Sequence, residues 1–328
     1  MFFILSILAL LCWSGSDLFS KIGTKQNDKN SHWKVVFAVG FIMGIHFLIT
    51  LIGGYFIDNS VGVDNVPKIV ASLFYTDFKF IDFINYLPVA FLYILAMVFG
   101  YIGLRYIELS ISSPICNSSG ALAFLLCVLA GIYSKEDITT LVIVGIVLVT
   151  IGIVSLGFIE HSEDEEIKQK RQEKSNRKYS KSILAFLLPI LYLVIDALGT
   201  VGDEYIFSLT NDNGDGIITD YAANSAFELT FFILAVFAFV WIKFFKKEKI
   251  FEGNKQLYLG GLCETVGQVF YMAVMFSDFS AGMVIISAYC SLSVLWSRIF
   301  LKEKLSYKHY ISILITIIGI VVLGVSEL

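Results

Sequence analysis

Four carboxylates interrupt otherwise apolar runs of this chain: Asp17, Asp196, Glu228 and Glu264. Burying an ionised carboxylate is costly, so one found inside an apolar segment faces a partner, a cavity or an ion path. Two of the four have an aromatic residue one helical turn earlier. Trp13 lies four residues before Asp17, and Tyr192 four before Asp196. Residues at that spacing share a helix face. A ring face next to a carboxylate is a binding chemistry for ammonium groups, quadrupole and acid acting together. Glu264, Gln268 and Tyr271 form a polar stripe at helical spacing, and Tyr289 lies near the centre of a later apolar run. The carboxylates offer a second use, the carriage of a proton. The candidate binding residues are therefore Trp13, Asp17, Tyr192, Asp196, Glu264, Gln268 and Tyr289. Plainer roles compete. Asp17 can pair with Lys21 one turn on, and Glu228 falls in the outer third of its segment, where water reaches. His46 reads as a packed histidine bonded to a neighbour, with a proton relay as the alternative. Tyr289 and Trp296 read as packing before pocket.

The elements that must position these residues follow from composition. The chain is 57% hydrophobic with 16% charged residues, and its mean hydropathy is +0.77. A soluble chain carries about a quarter charged residues, so this one is expected to be an integral membrane protein. A net charge of −4 gives no basic surface for nucleic acid. The five cysteines sit in apolar runs without metal or disulfide spacing and read as packing residues. The opening MFFILSILALLCW has no basic residue ahead of it and reads as a retained first helix. A spanning helix needs about 20 mostly apolar residues. Ten segments qualify, near 2–20, 34–57, 85–106, 109–133, 138–158, 182–206, 222–243, 256–276, 279–300 and 307–326. The dense mixed charge of 159–181 marks a solvated linker between residues 1–158 and 182–328.

The two halves repeat. Aligning Tyr101–Gly157 with Tyr271–Gly324 pairs Ser110 with Ser280, Leu122 with Leu292 and Lys135-Glu136 with Lys302-Glu303. Of the 24 Lys and Arg residues, all but Lys68, Lys79 and Lys135 fall in or beside the loops after the odd-numbered segments. Basic loops stay in the cytoplasm, which places both termini outside. Five spans per half is an odd number, so the copies insert in opposite senses. The expected fold is an all-α integral membrane protein of ten transmembrane helices arranged as two inverted five-helix repeats. The glycines of the fifth and tenth segments suit close packing and make those helices supports. Pro114 and Pro189 are expected to bend theirs, with a break near Asn117-Ser118-Ser119-Gly120. Outside the spans, the aromatic 58–84 stretch reads as an interfacial segment. Asn211, Asn213, Asp215 and Gly216 match the start of a calcium loop, but Ala222 stands where the bidentate acid belongs, so a Gly/Asn turn is the competing reading.

The strings Ser134-Lys135-Glu136-Asp137-Ile138 through Gly152 and Leu301-Lys302-Glu303-Lys304-Leu305-Ser306 through Gly319 resemble the turn and last helix of the drug/metabolite transporter superfamily, its EamA-like branch in particular. Leu104-Arg105-Tyr106-Ile107 at the end of the third segment is similar too. The resemblance spans nearly the whole chain. Lys135 and Lys302 stand where that family's turn has glycine, and Ser119-Gly120 and Tyr289-Cys290 where it has Glu-Pro. The resemblance implies a multi-pass cell-membrane protein that moves small metabolites or drugs, some relatives carrying amines. The expected function is secondary active transport by alternating access, proton-coupled or by exchange, with cationic or amine substrates in view. Two alternatives stay open: a non-transporting receptor or sensor on the same fold, and a carrier of neutral metabolites such as sugars or amino acids. Scattered histidines and the absence of H-E-x-x-H and G-x-S-x-G argue against an enzyme. The expected partners are a small-molecule substrate, a coupling proton and the bilayer. No cofactor or resident metal is expected, and the oligomer is expected to be a monomer or weak dimer.

Overall fold

The computed structural model describes residues 2–25, 27–133, 138–162, 183–211, 214, 216–250, 254–277 and 281–326. Helices occupy all ten predicted segments. In chain order they are α1 (Phe2–Gly23), α2 (Ser31–Ser60), a short α3 (Lys68–Phe74), α4 (Phe80–Gly103), α5 (Leu109–Cys116), α6 (Ser119–Leu129), α7 (Thr140–Ser162), α8 (Ile183–Ser208), α9 (Asp220–Val240), α10 (Lys255–Met275), α11 (Ala281–Ser287), α12 (Tyr289–Trp296) and α13 (Tyr307–Ser326). Among the described residues, eight helical stretches are long and apolar enough to cross a membrane, α5 with α6 counting as one. Two predicted spans fall short by that measure, for different reasons. Helix α10 has the length, but Glu264, Gln268 and their polar neighbours dilute its apolarity. The ninth segment is broken, and its apolar part runs only from Ile285 to Leu301.

The packing joins the halves. Helix α1 lies along α10, α2 along α9, α4 along α8, and α7 along α13. Large apolar side chains such as Phe3, Ile52, Phe56, Phe158 and Phe237 stay exposed on the outside, as suits a surface meeting lipid. Serines, in contrast, are buried: Ser6, Ser14, Ser16, Ser20, Ser110, Ser112 and Ser293 are all inside. Close approach of α7 and α13 depends on Gly319, whose missing side chain leaves room for the backbone of Val149 and Gly145. The 58–84 stretch holds α3, which packs on α2 and α10.

Both central helices break where their halves meet. Helix α5 ends at Asn117 and α6 restarts at Ser119, which agrees with the expected break. Helices α11 and α12 are likewise separated at Ala288. The two breaks touch: the Asn117 amide donates to the Ser287 carbonyl at 2.6 Å. A broken backbone is tolerated at membrane depth only where such partners or a cavity satisfy it.

The turn before α13 explains its own sequence. Helix α12 widens into a π turn at Ser297–Leu301, and Lys302 follows with φ 57 and ψ 28. This left-handed conformation costs a non-glycine residue roughly 1–2 kcal/mol, so glycine is the natural occupant. Since the Lys302 side chain is exposed, Lys302→Gly is expected to raise the apparent melting temperature slightly. The gain is about 1 kcal/mol or less, because glycine also loosens the unfolded chain; a fall would show that the lysine side chain holds the turn. The matching Lys135-Glu136 turn lies outside the described residues, as do Asn213 and Asp215 of the calcium-like loop and nearly all of the 159–181 linker. Helix α7 itself runs on to Ser162. An isolated bridge from Thr210 to Gly216 closes the calcium-like loop.

Candidate functional site

A cavity of about 420 Å³ lies between the halves. All seven predicted site residues, Trp13, Asp17, Tyr192, Asp196, Glu264, Gln268 and Tyr289, line it. Helices α1, α4, α5, α8, α10 and α12 contribute, with α6 supplying Ser119. Helix α9 joins them through Asp220, Asn224 and Phe227, which the sequence reading had not assigned. Neither α7 nor α13 reaches the cavity, in keeping with a supporting role.

Hydroxyls hold the carboxylates. Asp17 accepts from Ser113 at 2.6 Å and from Ser293 at 2.7 Å, one serine from each broken helix. Asp196 accepts from Ser119 at 2.6 Å. Ser16 donates to Glu264, which lies within electrostatic reach of Asp17. These donors fix geometry and leave the negative charge uncancelled. Lys21, though near the end of α1, does not reach water. It is fully buried and donates to the carbonyls of Leu104 (2.6 Å) and Ile107 at the end of α4. The cation lies outside the cavity lining, at the end of the molecule where α4 passes into α5.

The aromatic wall is built against glycines. Trp13 stacks near Tyr271, with centroids 5.2 Å apart, and meets Tyr289 edge-on at 5.7 Å. A side chain at Gly267 would stand 2.6 Å from the Trp13 ring, and one at Gly100 would stand 2.9 Å from the Tyr192 ring. Each ring beside a candidate carboxylate thus rests against a facing helix that has no side chain there.

One carboxylate escaped the sequence reading. Asp203 lines the cavity nearer the 58–84 and 207–221 loops. It accepts from Tyr86 at 2.8 Å and from Tyr93 at 3.3 Å. Asp196, Thr200 and Asp203 fall at i, i+4 and i+7 on α8, the spacing of one helix face, and that signal would have found it. Glu228 is a correction: far from being wet, it is completely buried and bonded to His46 Nδ1 at 2.7 Å. His46 is a packed histidine with a bonded neighbour, as its first reading held. Among the described residues that line the cavity, Asp17, Asp196, Asp203, Asp220 and Glu264 are acidic, and none is Lys, Arg or His. No cluster among the described residues is arranged to hold a metal.

No curated protein matches the chain. Residues 220–325, from the start of α9 almost to the end of α13, match the EamA-like transporter family. That stretch of the chain is similar to the EamA-like transporter family, and with eight helical stretches long and apolar enough to span a bilayer the chain is a multi-pass membrane protein.

Proposed function

We propose that the protein is a secondary transporter of small organic cations carrying an amine or quaternary ammonium group, exchanged against protons by alternating access. One observation carries the reading: among the described residues five carboxylates line the cavity, no basic side chain does, and hydroxyls hold three of the five. A desolvated carboxylate needs a counter-charge or a proton, and the cavity walls supply neither. Trp13, Tyr192 and Tyr289 add ring faces suited to an ammonium head. Asp17, Asp196 and Glu264 would take the charge, and Gln268 would supply a neutral polar contact.

The proposed architecture is a pair of inverted repeats, 1–158 and 182–328, joined by a cytoplasmic linker at 159–181. Supporting it, the packing pattern maps onto itself when the halves are exchanged. The α1–α10 pair corresponds to α8–α4, and α2–α9 and α7–α13 each correspond to themselves. Alternating access would then rock one bundle against the other, with Lys21 leaving the Leu104 and Ile107 carbonyls as that end opens.

A thermal-shift screen of the purified protein against amines, amino acids, sugars and nucleosides tests the substrate class. A binder at 100 times its Kd stabilises by roughly 2.7 kcal/mol, and amines are expected to give that response. Counterflow of the best binder in proteoliposomes tests transport. A response to sugars or nucleosides alone would replace the cation with a neutral metabolite, and binding without flux would favour a receptor.

A further inference from the structure

We propose that His46 and Glu228 form a proton-binding site behind the cavity, separate from the substrate carboxylates and coupled to them through Asn224 and Gln268. The proposal deepens the exchange reading by locating the proton away from the cation.

The pair sits where α2 packs on α9, and α2 contributes nothing to the cavity wall. The His46 side chain is 7% exposed and that of Glu228 is 0%. A substrate in the cavity therefore touches neither. The two share one contact, Nδ1 to Oε1 at 2.7 Å. The ring also has the backbone carbonyl of Leu73 to donate to, whereas Glu228 Oε2 is buried without a hydrogen-bond partner. A pair kept for stability alone would have that oxygen satisfied, since an unmet buried acceptor is destabilising. The pair therefore offers a proton two places, a ring nitrogen facing a carbonyl and an open carboxylate oxygen.

Two amides connect the pair to the cavity. Asn224 donates to Glu228 Oε1 at 3.3 Å, and Gln268 donates to the Asn224 carbonyl oxygen at 3.0 Å. Asn224 and Gln268 both line the cavity. Of the elements around the ring, α9 presents Glu228 and Asn224, α3 the backbone of Leu73, and α10 the uncharged Gln268. Glu228 is the charged group acting on His46. With a neutral ring and an ionised carboxylate the pair carries one negative charge. That charge orders the amides so that Gln268 points its N–H groups away and leaves its carbonyl oxygen for a cation. A proton taken up from water through the cavity makes the pair neutral, weakens the Asn224 bond and releases Gln268. Cation and proton then oppose each other without sharing a site.

The test needs no substrate. The full chain, labelled with ¹⁵N at histidine ring and glutamine side-chain nitrogens, is titrated by NMR in detergent without added amine, from about pH 5 to pH 8. The His46 signal is assigned from its loss in His46→Asn or, should that variant not fold, from its displacement in Glu228→Gln. The expected result is a protonation step at His46 accompanied by movement of the Gln268 amide signal. Both changes should be lost or displaced together in Glu228→Gln. A His46 signal that is constant over the range, or a step that leaves Gln268 unmoved, overturns the proposal. If the coupled step is present and the amine screen finds no binder, the proton site stands and the cation reading falls.

Discussion

Asp17→Asn and Glu264→Gln are each expected to cut amine binding by a factor between about thirty and several thousand. The range corresponds to the roughly 2–5 kcal/mol lost when one member of a buried, hydrogen-bonded charge pair is removed. Both replacements keep an oxygen that can accept from Ser113 and Ser293, or from Ser16. The fold should therefore persist while the charge disappears. Asp220 is partly exposed at the other end of the cavity, where water screens it, and Asp220→Asn should cost only a few-fold. Equilibrium binding of the amine selected by the thermal-shift screen, measured on the three variants side by side, gives the comparison. Equal, small losses at all three positions would mean that the buried acids do not hold the cation.

The second large effect concerns stability. Glu303, in the turn before α13, is buried, and its carboxylate caps the start of α5 in the other half of the chain. It accepts from the amides of Leu109 and Ser110, both at 3.1 Å, and from the Ser110 hydroxyl at 2.8 Å. Glu108, at the N-cap position of α5, makes no side-chain cap. Glu303→Ala would strand them at a helix N-terminus, where the dipole also favours a negative charge. Leaving buried donors without their acceptor costs about 1–3 kcal/mol. The apparent melting temperature should drop by several degrees, and the Ser110 amide should lose protection from hydrogen exchange. Glu303→Gln, which keeps one acceptor oxygen, should fall between. If Glu303→Ala melts with the parent protein, the turn does not tie the halves together.

This contact gives physical meaning to a motif that the sequence showed only as a repeated string. Lys302-Glu303 is one residue in a left-handed conformation followed by one whose carboxylate reaches across the molecule. Spacing along the chain shows neither, because the capped amides lie 193 and 194 residues away.

What the sequence alone determined were the properties set by local pattern: where the helices run, that they face lipid, and which faces carry polar groups. Runs of about 20 apolar residues form helices because the bilayer leaves the backbone no other partner. Helical spacing then put Trp13 with Asp17 and Tyr192 with Asp196. The tertiary structure decided what each polar group meets. Glu228 looked able to reach water, yet it is buried on His46, and Lys21 is buried on the carbonyls of a neighbouring helix. Asp203 became a cavity residue only when two tyrosines from α4 closed on it. The reason is the same throughout. Position along a helix fixes depth and face, whereas the partner of a buried charge is fixed by which helix packs there, and that is settled by contacts between residues far apart in the chain.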